Sequence, residues 1–254
     1  MNILVHQVRL VLTAVQYFTR LPVPAWVGYS DRQLNDASRY FPLVGVLVGL
    51  ATGLIYLAAL RLFPQSVAVL LSMLAGVWLT GGFHEDGLAD TCDGFGGGRD
   101  KAQVLHIMKD SRLGSYGVLG LVFALLLKFS VLAELPASAF FAVSVAAHAI
   151  SRLMAVSVIH TQRYVRDDAS ARAAAASQNL SVSGLIIATG IVIAPLLWVG
   201  GAALAGAAVA LALRVVMGRY FLYRIGGFTG DCLGAIQQIS EIGFYLGVLA
   251  WILF

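Results

Sequence analysis

Residues Phe41 to Phe63 read FPLVGVLVGLATGLIYLAALRLF, an apolar run whose only charged side chain is Arg61. About 20 such residues suffice for a helix to cross the hydrocarbon core of a bilayer. Pro64 closes the run, and comparable stretches recur downstream at Ser66 to Phe83, Leu113 to Leu135, Ala137 to Ile159, Val182 to Val199, Gly201 to Phe221 and Ile236 to Phe254. Upstream, residues 3–19 carry an apolar run broken by Arg9, which predicts an amphipathic or re-entrant helix ending at Thr19-Arg20-Leu21-Pro22. The pattern predicts an all-α polytopic integral membrane protein, with about seven transmembrane helices plus that N-terminal helix. It forms one membrane-embedded domain over residues 1–254, with no internal repeat.

Composition agrees. The chain is 59% apolar and 12% charged, with a mean hydropathy of +0.84. Soluble domains are about 45–50% apolar and about 25% charged, so a large soluble fold would lack the polar surface it needs. The net charge of +4 is read as topology and affinity for the lipid bilayer, with no nucleic acid as partner. Cys92 and Cys232 are too few for a disulfide framework and read as unpaired small residues. The start lacks a small-residue cleavage site, so no signal peptide is expected.

Between the apolar runs lie polar stretches. Asp31 to Arg39 reads as a loop, His84 to Arg112 as a long functional connection, and His160 to Ser181 as a second polar segment. With a cytoplasmic N-terminus, Arg9, Arg20, Arg32, Arg39, Arg99, Lys101, Lys109, Arg112, Arg163, Arg166, Arg172, Arg219 and Arg224 fall on the cytoplasmic side, and Arg61 on the other. That is the positive-inside pattern. It places the three polar motifs at one end.

The first motif, Gly81 to Arg99, is GGFHEDGLADTCDGFGGGR. Asp86, Asp90 and Asp93 are spaced i, i+4, i+7, which on a helix stacks the carboxylates on one face. Like charges so placed repel unless a cation sits among them, and an ordinary solvated acidic face would interleave Lys or Arg. Hard oxygen ligands in this arrangement suit Mg²⁺, which commonly takes one or two carboxylates plus substrate phosphates. His84 and Glu85 flank the aspartates. Gly94, Gly96, Gly97 and Gly98 are read as a flexible turn offering backbone N–H groups to phosphate.

In the second motif, MKDSRLGSYG from Met108, Lys109 and Arg112 are three apart and on a helix would share a face that neutralises a diphosphate. Asp110 is a further ligand or an orienter of Arg112. The third, GGFTGDCLGA from Gly226, is a glycine-rich turn entering a helix, with Thr229 and Gly230 at the turn and Asp231 near the helix start. Within the predicted spans, Lys128, Arg152, Arg214 and Glu241 are ionisable groups that need a reason to be there. Lys128 and Arg214 are read as snorkelling or internally paired. Arg163, Arg166 and Arg172 are read as topology determinants.

These three motifs, with FTRLPVP near the start and RYFPLVG at 39–45, resemble the cobalamin synthase family, the adenosylcobinamide-GDP ribazoletransferases. The resemblance runs the whole chain in order. It implies the last assembly step of the cobalamin nucleotide loop: adenosylcobinamide-GDP and α-ribazole, or its 5′-phosphate, give adenosylcobalamin, or its 5′-phosphate, plus GMP. It also implies Mg²⁺ dependence and a place in the bacterial cytoplasmic (inner) membrane. A homo-oligomer and other nucleotide-loop enzymes are the candidate protein partners. On this reading Asp86, Asp90, Asp93 and Asp231 bind metal. Lys109, Arg112, Gly96, Gly97, Thr229 and Gly230 bind substrate, and His84, Glu85 or an aspartate such as Asp93 is the general base. The competing readings are another membrane phosphotransferase acting on a nucleotide-diphosphate alcohol, and a transporter with an ion path through Arg152, Lys128 and Glu241.

Overall fold

The computed structural model describes residues 3–166 and 180–254. Arg172 therefore lies outside the described residues. The described chain is helical: α1 (Ile3–Phe18), α2 (Asp31–Ala37), α3 (Phe41–Ala59), α4 (Gln65–Thr80), α5 (Phe83–Gly97), α6 (Lys101–Ile107), α7 (Ser115–Glu134), α8 (Ala137–Thr161), α9 (Val182–Val199), α10 (Ala202–Ile225) and α11 (Gly230–Leu253). Among the described residues six helical stretches are long and apolar enough to cross a membrane, or seven if α4 and α5 are taken as one broken span. This is the predicted polytopic bundle.

Small residues let the spans approach. A Cβ on Gly45 would sit 2.2 Å from the His148 carbonyl oxygen, and one on Gly49 2.5 Å from the Val145 Cα. The i, i+4 glycines of α3 thus lay its backbone against α8, the small-xxx-small packing that replaces hydrophobic driving force in lipid. Gly247 of α11 approaches the Ala205 carbonyl of α10 in the same way.

Three boundaries differ from the sequence reading. The expected loop Asp31 to Arg39 contains α2, because Ser30 accepts a hydrogen bond from the Gln33 N–H at 3.2 Å and caps a helix start. The last span begins at Gly230 rather than Ile236, which makes Asp231 part of the same continuous helix, in its first turn. The third concerns the acidic stretch. Rather than an external connection, residues 83–97 form α5, packed inside the bundle against α11 and α7. Helix α4 has 16 residues, about 24 Å at 1.5 Å per residue, too short to span alone. At its end Gly81 and Gly82 both take left-handed φ values, 71° and 70°, and α5 departs at 88° to α4. Consecutive left-handed residues are tolerated cheaply only by glycine.

Candidate active site

Helices α5 and α11 meet backbone to backbone. A Cβ on Gly87 would lie 3.0 Å from the Asp231 carbonyl oxygen, and one on Gly234 3.3 Å from the Gly87 Cα. The crossing sets Asp86 and Asp90 beside Asp231. Asp86 is exposed, while Asp90 and Asp231 are half-buried. Asp90 interacts electrostatically with Asp231, Asp86 and Asp93 as like charges, and with Arg166 as the opposing one. Arg166 donates to Asp231 Oδ2 at 2.7 Å and to the Met108 carbonyl at 3.0 Å. Asp231 lies in the first turn of α11, where the helix dipole favours an anion.

Tyr17 stands close by on α1. Burial pushes its hydroxyl above the usual tyrosine range, and the neighbouring Tyr29, Tyr164 and Asp231 push the same way. Residues 163–166 are held there by backbone pairing with the third motif: Phe228 donates to the Arg163 carbonyl and Val165 to the Phe228 carbonyl, at 3.1 and 3.0 Å. Arg166, assigned from sequence only a topological role, is thus part of the acidic centre. Its place depends on this pairing across the chain, and no local spacing announces it.

The other predicted site residues have different places. Asp93 is buried, and its two oxygens accept the backbone N–H groups of Gly114 and Gly117 at 2.7 and 2.8 Å. It therefore caps α7 from a neighbouring helix, satisfying donors that a helix start leaves open. His84 is buried and stacked on Phe18, with ring centroids 5.3 Å apart, facing the interior. Glu85 also turns inward, accepting from the Gln238 amide at 3.0 Å.

The expectation of a flexible glycine turn is corrected. Gly96 and Gly97 end α5, with Gly96 pressed against the Tyr116 ring and Gly97 against Ile107. A helix end presents carbonyls rather than N–H groups; the Gly98 carbonyl accepts from Arg224 at 2.7 Å.

Lys109 and Arg112 do not share a helix face. Residues 108–114 form a turn, because the Asp110 carboxylate accepts the Arg112 backbone N–H at 3.1 Å, an Asx-type turn that competes with helix. Asp110 also pairs with the Arg112 guanidinium at 2.6 Å, which holds its carboxyl at about 2. Both line an open cleft of about 410 Å³ that reaches Asp93 and Tyr116. Thr229 is buried and caps α11, accepting from the Cys232 N–H at 3.3 Å. Cys92 and Cys232 are free thiols.

Among the described residues no three His, Cys, Asp or Glu side chains are grouped so that they could hold a metal ion by themselves. Asp86, Asp90 and Asp231 are nevertheless hard oxygen donors in one electrostatic field. An open site of one or two carboxylates completed by phosphates is how Mg²⁺ is ordinarily held, and a pair drawn from these three residues fits it.

Apolar helices enclosing an acidic centre at one end define a polytopic membrane enzyme. The chain belongs to the cobalamin-5-phosphate synthase family, whose model matches residues 10–249. It is 49% identical over 252 residues to an adenosylcobinamide-GDP ribazoletransferase of Shewanella frigidimarina (strain NCIMB 400), covering 96% of this chain and 95% of the relative. Relatives of the same name from Shewanella sp. (strain W3-18-1) and Shewanella baltica (strain OS185) are each 49% identical over 250 residues, covering 96% of this chain and 94% of theirs. No solved structure matches the chain.

Proposed function

We propose that the protein transfers the cobinamide phosphate of adenosylcobinamide-GDP to α-ribazole or its 5′-phosphate, releasing GMP, in the bacterial cytoplasmic membrane with the acidic centre facing the cytoplasm. The names of the relatives support the substrates, and the basic residues gathered near the motifs support the orientation. The observation that carries the chemistry is the α5–α11 crossing, which holds Asp86, Asp90 and Asp231 around Arg166.

The ribazole hydroxyl attacks the phosphorus on the cobinamide side of the diphosphate. A new P–O bond forms, the bond to the GMP oxygen breaks, and the hydroxyl proton is lost. Asp86, Asp90 and Asp231 would hold Mg²⁺ together with the donor phosphates. Bound there, the ion supplies the charge neutralisation that such transfer chiefly requires. Arg166 fixes Asp231 and adds positive charge beside the phosphates. The proton goes to a carboxylate of this group, because His84 and Glu85 face inward. Lys109 and Arg112, exposed on the 108–114 turn, attract the anionic donor from outside.

The test is Asp90→Asn in purified, monodisperse protein, assayed for GMP and complete corrinoid across a magnesium titration. Activity should be lost at every magnesium concentration; near-parental activity would overturn the assignment. Release of CMP rather than GMP from paired donors would favour a different nucleotide-diphosphate alcohol.

A further inference from the structure

Helix α5 is poorly suited to stand alone. It contains Gly87, Gly94, Gly96 and Gly97, and a glycine costs about 1 kcal/mol relative to alanine inside a helix. Asp86 and Asp90 repel one another at i, i+4. Something outside the helix must fix where these carboxylates stand. At its C-terminal end Asp93 grips α7 and the Gly98 carbonyl meets Arg224. At its N-terminal end the grip is Glu85.

Glu85 leads into a continuous polar network. Its Oε1 accepts from Gln238, Gln238 donates to Gln237 Oε1 at 3.0 Å, and Gln237 donates to Glu241 Oε2 at 2.6 Å. Glu241, fully buried in the last span, is paired with Lys128 of α7 at 2.5 Å and His148 of α8 at 3.2 Å, and accepts from the Tyr245 hydroxyl at 3.2 Å. Gln237 also donates to Ser151 of α8 at 3.0 Å. Glu85 Oε2 and Arg152 Nε are buried without hydrogen-bond partners, and both residues line one internal cavity of about 30 Å³. That is room enough for a water molecule to join them. Through Glu241 and the two glutamines, α7, α8 and α11 are thereby linked to one carboxylate of α5, the residue immediately before Asp86.

We infer that Glu85 is a positioning residue: it anchors the acidic helix, through Gln238 and Gln237, to the ion network centred on Glu241, and neither binds metal nor takes the substrate proton. Adjacent helix positions point about 100° apart, so a half-buried Glu85 turned inward holds Asp86 outward, where it is exposed. This inference rests on the acidic centre being the site of transfer.

The experiment uses the full chain in detergent or nanodiscs, with steady-state GMP release as readout. Glu85→Leu should lower kcat about 10–100-fold, the usual cost of removing support behind a ligand set, with the donor KM within about twofold of the parent. Glu85→Gln keeps an acceptor for Gln238 and should restore most of kcat. Gln238→Met should match Glu85→Leu, and the double variant should lose no more than either alone.

A Glu85→Gln enzyme as inactive as Glu85→Leu but as stable as the parent would overturn the inference, because loss of the charge that offsets Arg152 lowers stability, whereas loss of a ligand or base does not. Where Glu85→Gln also loses stability, Gln238→Met, which keeps every charge, decides. Losses that multiply in the double variant would overturn it as well. If Glu85→Leu does not yield monodisperse protein, Gln238→Met carries the test by itself, with unchanged kcat as the overturning result. Asp90→Asn runs in parallel: its retention of activity sinks the proposed site of transfer, whereas its loss alongside a failed Glu85→Gln rescue sinks only the positioning role.

Discussion

Two charged regions lie within a few turns of each other on α5 and α11, and they are balanced in opposite ways. Around Glu241, Lys128 and Arg152 offset Glu241 and Glu85, and the partners are within bonding or electrostatic reach. At the mouth, Asp86, Asp90 and Asp231 outnumber the Arg166 guanidinium, which pairs with Asp231 and acts electrostatically on Asp90. Burial explains the difference. Unpaired charge inside an apolar bundle costs several kcal/mol, so the interior network must close on itself. The mouth can leave charge uncompensated because water reaches it, and the proposed cation and phosphates would complete the balance. A neutral network serves rigidity; an unneutralised one serves binding.

The comparison can be broken from either side. Glu241→Leu leaves Lys128 buried without its carboxylate and should destabilise the protein by roughly 3–5 kcal/mol, whereas Lys128→Met with Glu241→Leu should recover most of that. Thermal unfolding in detergent decides, and equal stabilities for the single and double variants would show that the interior is not a balanced unit. Asp231→Asn should leave stability nearly unchanged but cut GMP release by on the order of 10²-fold or more. A fall in melting temperature as large as that of Glu241→Leu would place Asp231 with the structural network instead.

Asp93→Ala removes the acceptor for two backbone donors and should cost about 1–2 kcal/mol, as losing a helix cap does. In a magnesium titration its half-activation point should stay at the parental value; a large shift would return Asp93 to the ligand set. The smallest effect is expected at Asp110. Its folded carboxyl lies at about 2, below the ordinary 3.8. A depressed carboxyl stabilises above its unfolded value and loses that contribution as pH falls through the folded one. The stability difference between parent and Asp110→Asn should therefore be flat from neutral pH to about 4 and shrink toward pH 2, followed by thermal unfolding.

The spans were legible because lipid imposes long apolar runs, and the 86, 90, 93 spacing marked a helix correctly. What the sequence did not reveal is partner choice. Asp86 and Asp93 have the same side chain, yet one is exposed and the other caps α7, a distinction made by where Gly114 falls in space. Arg166 resembled its neighbours Arg163 and Arg172 until backbone pairing with Phe228 fixed it beside Asp231. Glycines raised the opposite difficulty: Gly96 resembles a phosphate loop residue in any listing of motifs, but the Tyr116 ring occupies the space where its side chain would be. Asp31 to Arg39 was misjudged because polarity suggested a loop, while the Ser30 cap makes a helix.

The contact between Glu85 and Gln238 joins residues 153 positions apart. The ribosome therefore releases the acidic helix long before the helix that completes it exists. Until α11 has entered the bilayer, α5 is a short, charged, glycine-rich segment held by α7 at its Asp93 end but uncovered along its Gly87 face, so its final seat can form only late in biogenesis. The order of synthesis makes the last span the closing piece, and a chain cut short before Gly230 would carry most of the membrane anchor with no catalytic centre inside it.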